Sequence, residues 1–189
     1  MGQGAATVSK DTHHVGLWAV LGAVGILYAL SNKEISDMNA IAIALHVVAA
    51  VIWIGGMFFA YVVLRPSSTA LEPPQRLLLW AGVFKRFFPW VWMTIIVLIV
   101  TGYWLIFSWY QGFGNSPGFV HVMHILGWIM TLLFVFMYYR LYPAFKDTVQ
   151  AENWQEAGAA LARVRQIILI NLIFGLVLLL LVAALQKLA

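Results

Sequence analysis

Long apolar runs separated by short polar clusters dominate this chain. Five can be read: HVGLWAVLGAVGILYALS at 14–31, then runs at 39–64, 80–109, 119–142 and 164–186. Each approaches or exceeds the ~20 residues needed to cross a bilayer core as helix. The breaks carry turn chemistry. RPSSTALEPPQR, with three prolines, separates the second run from the third, and QGFGNSPG separates the third from the fourth. The polar stretch KDTVQAENWQEAGAALARVRQ has helical periodicity and predicts a surface helix running into the last span. The pattern therefore predicts an all-α, polytopic membrane helix bundle of five transmembrane helices. With no polar linker long enough to divide it, residues 1–189 are expected to form a single integral membrane domain. The triplet ALS at 29–31 resembles a signal cleavage site. The run before it is longer than a usual signal core, so an uncleaved anchor is expected.

Composition sharpens this picture. Of the residues 63% are hydrophobic and only 10% charged, where a soluble domain has about 25% charged. Cysteine is absent, which excludes disulfides, thiolate metal sites and covalently attached haem. The net charge of +4 is no sign of a nucleic-acid partner, because the basic residues gather in the short breaks. Lys10, Arg65, Arg76, Lys85, Arg86, Arg140, Lys146, Arg163 and Arg165 fall on one side of the five-span scheme, and only Lys33 and Lys187 on the other. The positive-inside rule then predicts the N-terminus inside and the C-terminus outside.

The candidate chemistry lies in histidines set among apolar residues. His46 falls about seven residues, roughly 10 Å, inside the outer end of the second span. His124 falls about five residues, roughly 7 Å, inside the outer end of the fourth. His121 is nearer the surface. One buried histidine is commonly structural, but two at matched depth on different helices suggest a site. His46, Ala50, Trp53 and Met57 share a face, with Ala42 and Ala49 beside the imidazole. His121, His124 and Trp128 share a face of the fourth span, with Gly127 alongside. Small residues there leave room for a flat macrocycle, and they equally allow close helix packing. Two cofactors suit such a set: haem b, held by axial imidazoles in an apolar slot, and copper. Met123, Met130 and Met137 recur every seven residues. They point roughly 100–140° away from His124, which favours packing and favours haem over a His/Met copper site. The expected haem ligands are His46 and His124, with His121 as an alternative ligand or outer donor. Trp53 and Trp128 would wall the slot, and the second nitrogen of His46 would donate to a carbonyl or to a hydroxyl such as Thr101. No acid lies within a span, so a carboxylate proton relay is not expected. His13 and His14 have no partner histidine at their end of the scheme. Asn171 is expected to bond a neighbouring helix.

Three stretches carry a family resemblance: LHVVAAVIWIGGMFF, RFFPWVWMTIIVLIVTGYW and HVMHILGWIMTLLFVFMYYRLYP. Together they resemble the CopD superfamily, which includes copper resistance D proteins and HemJ-type protoporphyrinogen oxidases. The resemblance covers the second to fourth spans and rests most on the H-x6-W-x-G-G element at His46 and on T-G-Y-W. It implies a bacterial cytoplasmic membrane protein contacting lipid. For function it implies either copper movement across that membrane or haem b binding through the early histidine. HemJ-type proteins typically carry lysine where His124 stands, so the resemblance implies bis-imidazole ligation here in place of that oxidase chemistry. A haem-dependent oxidoreductase with an unidentified redox partner, a copper transporter, and a subunit of a larger complex or homo-oligomer are the readings that follow.

Overall fold

The computed structural model describes residues 12–185. Lys10 and Lys187 lie outside the described residues, as do the side chains of His13 and His14 and most of those at 14–31. Every long element is helical: α1 (Thr12–Phe58), α2 (Arg65–Ser67), α3 (Pro73–Ser108), α4 (Gly118–Phe136), α5 (Tyr142–Gln150) and α6 (Trp154–Leu185). Wide π-helical turns link α1 to α2 (Phe59–Leu64) and α4 to α5 (Met137–Leu141). By contact the chain divides into two units, Met1–Ile41 and Ala42–Ala189.

In the first unit the described residues are helical throughout. The outer loop expected around Lys33, Glu34 and Asp37 is not a loop, because α1 runs through these positions. The physical reason is visible in the stretch SNKEISDMNAI. It holds charges but neither proline nor glycine, and charge alone does not stop a helix.

Among the described residues four helices are long and apolar enough to cross a membrane, lying within Leu30–Ala70, Pro73–Ser108, Gly118–Gln150 and Trp154–Leu185. In the second unit their outward faces are strongly apolar: Val51 is 63% exposed, Val100 62% and Leu180 71%. An aqueous monomer does not leave such continuous apolar surface uncovered. Lipid contact accounts for it, and the protein is an all-helical membrane protein.

The core of this unit is aromatic. Trp80, Phe84 and Phe88, one turn apart on α3, are each at most 2% exposed. Phe84 stacks on Phe88 at 4.9 Å and meets Phe145 edge-on at 5.9 Å. Phe134 of α4 receives Trp53, Phe88 and Trp92 edge-on, an arrangement that aromatic quadrupoles favour. Met130 and Met137 are buried in the same cluster and serve packing, while Met123 is half-buried outside it. Asn171 of α6 crosses to α4, its Nδ2 donating to Met130 O at 3.2 Å, the bond to a neighbouring helix expected of it.

Both π turns end two residues before a proline, Pro66 and Pro143. Proline has no N–H to give and its ring crowds the carbonyl four residues back. A wide turn just upstream moves that carbonyl and lets the helix continue. The fourth helical path therefore does not stop near 142 but continues as α5. The polar stretch beyond it is split by a turn at 151–153, with Glu152 at φ 53°, before α6 begins.

Candidate functional site

At the other end of α3 the chain reverses through Gln111 (φ 56°) and Gly112 (φ 117°), a conformation suited to glycine. Gly112 N–H donates to Ile106 O at 3.0 Å and closes the turn. This reversal brings Phe113 back over the start of α4, where His121 and His124 stand.

His46 lies on the inward stripe of α1. Its neighbours one turn either side, Ala42 and Ala49, are buried, whereas Leu45, Val47 and Val48 are exposed. Its Nδ1 is 2.8 Å from Thr101 Oγ1. The Thr101 hydroxyl donates to Val97 O at 2.6 Å, a back-bond of the usual helical kind. Its single hydrogen is therefore committed, and toward His46 the oxygen accepts. Neutral His46 thus carries its proton on Nδ1 and leaves the Nε2 lone pair bare. This is the second-nitrogen bond anticipated for a ligating imidazole, made to the anticipated hydroxyl. Gly102 adds a close approach: a Cβ there would stand 3.4 Å from His46 Cε1. The α3 backbone therefore packs directly against the ring edge.

His124 is half-buried within an aromatic frame. Tyr103 and Phe113 meet its ring edge-on at 5.3 and 5.1 Å, and Trp128 at 6.5 Å. His121 is exposed and lies 6.1 Å from Phe113. Of the expected slot walls, Trp128 touches His124 but is 38% exposed. Trp53 is 4% exposed and packs on Phe134 in the core. Ala50 is half-buried.

The depths agree. Trp53 meets Phe134, so these two positions are level. Trp53 is seven residues beyond His46 and Phe134 ten beyond His124. Along parallel helices rising ~1.5 Å per residue, the difference sets the histidines within about 5 Å of the same level.

The tetrapeptide Thr101–Trp104 ties the two together. Thr101 and Gly102 address His46, and Tyr103 addresses His124. Among the described residues no group of three or more His, Asp or Glu side chains gathers to hold a metal. What is present is one imidazole with a fixed tautomer and a bare nitrogen, and a second in an aromatic frame. An imidazole with a bare nitrogen is a donor of the kind that binds haem iron or copper. Sequence reasoning missed Phe113 and Tyr103. Tyr103 lay in plain view beside Thr101, whereas Phe113 belongs to a loop without periodicity.

Residues 81–185 match the family model described as copper resistance protein D. The matched region takes in most of α3, all of α4, α5 and α6, and with them Thr101, Tyr103, His121 and His124. It begins downstream of His46. No curated protein and no solved structure matches the chain.

Proposed function

The chain belongs to the copper resistance protein D family, and from that premise we propose that it is a bacterial cytoplasmic-membrane protein binding one haem b between His46 and His124. The observation that carries this reading is the His46–Thr101 hydrogen bond, which leaves Nε2 as a free donor inside an apolar bundle. Ala42, Ala49 and Gly102 supply small side chains around the ring, and Trp128 borders His124. Haem bound there would supply one-electron chemistry, with a redox partner at the same end of the bundle. The residues of this chain have simpler tasks. Thr101 holds the His46 tautomer, and Tyr103 and Phe113 set the His124 ring plane. The apolar faces keep water from the ligands, and His121 stands at the rim, where it can donate to an acidic substituent of the bound group.

A second reading is favoured by the family itself: copper handled by the same two imidazoles, as part of copper resistance. An orientation with the histidines toward the outer face belongs to either reading.

One preparation separates them. Protein purified from haem-replete cells should show a low-spin haem spectrum with a split α-band on reduction. His46→Ala and His124→Ala should each abolish it, and His13→Ala and His14→Ala should not. Colourless protein that binds copper stoichiometrically, and loses it on His46→Ala, would replace haem with copper.

A further inference from the structure

A second cluster lies at the opposite end of the second unit and has no part in the histidine site. Arg65, Arg76 and Arg165 line one pocket of about 300 Å³, together with Thr69, Pro73, Leu77, Trp154, Gly158 and Leu161. They arrive from three elements: the end of the first helical path, the first turn of α3, and the fourth turn of α6. The loop between the first two is held in place. Buried Ser68 donates to Arg65 O at 2.8 Å and accepts from Trp80 Nε1 at 3.3 Å. Arg65 itself lies 4.8 Å over the Tyr61 ring.

The charges converge without a counter-charge. Arg65 and Arg76 act on Arg165 as like charges, Tyr61 acts in the opposite sense, and no residue lining the pocket is a carboxylate. Among the described residues none of the three forms an ion pair. A topological signal needs only basic residues on one side of the membrane. It does not need three guanidinium groups around one cavity, where they repel one another. Two helix starts add to the positive field: Pro73 and Trp154 open α3 and α6, and both line the pocket. The cavity is at the lower end of the about 300–1,000 Å³ range of small-molecule sites.

We propose that this pocket binds a phosphate-bearing anion. Guanidinium forks match phosphate oxygens in pairs, and three can surround one such group. Leu77, Leu161 and the Trp154 indole offer apolar contact to whatever carries the phosphate. Two sources share this chemistry: the headgroup of an anionic phospholipid in the adjoining leaflet, and a soluble phosphate compound.

The test uses the full chain in neutral detergent. Ligand-dependent thermal stabilisation and retention in native mass spectrometry are read with dioleoylphosphatidylglycerol, with dioleoylphosphatidylcholine and with inorganic pyrophosphate. Arg76→Gln/Arg165→Gln is expected to weaken binding of the anionic probe at least 10-fold. Lys85→Gln/Arg86→Gln, which removes equal charge from exposed positions of α3, should change it less than 2-fold. Arg76→Lys/Arg165→Lys keeps the charge and should fall between them, so a folding defect in the glutamine variant does not decide the matter. Phosphatidylglycerol binding alone assigns the lipid source, and pyrophosphate binding assigns the soluble one. Equal losses in the glutamine variant and the Lys85/Arg86 control, or no preference for either anionic probe over phosphatidylcholine, would overturn the proposal.

Discussion

A threonine hydroxyl has one hydrogen to give, and Thr101 gives it to Val97 O. Everything argued about the His46 tautomer follows from that fact. Thr101→Val keeps the shape but leaves the His46 Nδ1–H with no acceptor, whereas Thr101→Ser restores one. Outer partners of this kind are worth about 10–100-fold in metal affinity. Thr101→Val is therefore expected to weaken the bound group by that factor and Thr101→Ser by less than about 3-fold, read by titration of the apo-protein with haem or copper(I). A result in which both variants bind equally well would remove Thr101 from the site. Much at this scale could be read in advance. A period near 3.6 placed His46, Ala50, Trp53 and Met57 on one face with Ala42 and Ala49 beside the imidazole, and the need for a second partner pointed to Thr101. Phe113 could not be read, because the close of the α3 turn brings it to His124 and no periodicity reports a turn. The meeting of Arg65, Arg76 and Arg165 was equally hidden. Along the chain these residues register only as charges on one side.

Among elements, close approach is decided by single atoms. A Cβ at Gly175 of α6 would stand 2.9 Å from Ile54 Cγ1 and 3.1 Å from its Cδ1. Ile54 is β-branched and buried, so it cannot swing away freely. Gly175→Ala should destabilise the protein by about 1–3 kcal/mol, the usual cost of overpacking. Gly55 has nothing within 4 Å of its Cβ position. Gly55→Ala should be neutral or stabilising by up to about 1 kcal/mol through helix propensity. Denaturation in a fixed detergent compares the two, and equal losses would show that the α1–α6 contact is looser than described. Spans were legible as elements because apolar length is a strong signal, but boundaries were less so. The charged stretch at 33–37 looked like a loop and is helix, and Pro143 looked like an end and is passed by a π turn.

For the molecule as a whole, the second unit has two chemically different ends. One carries the arginine pocket, with α5 and the start of α6. The other carries the 109–117 turn and the histidines. Reporter fusions after Glu72 and after Gly114 should give opposite signals, inside and outside, if the basic residues set the orientation. The same sign at both would break the antiparallel crossing of α3, and an inverted pair would move the histidine site to the cytoplasmic face.

One helix therefore sets the phase of both imidazoles. Residues 101–103 of α3 turn through about 200° and rise about 3 Å, and within that arc they present a hydroxyl and a bare backbone to His46 and an aromatic edge to His124. Neither contact can be re-timed without the other. A single residue inserted between Trp92 and Thr101 would advance the arc by about 100° and release both histidines together. The length of α3 between its core rings and its last turn thus works as a gauge, and tolerates point substitution on its lipid face far better than any change in count.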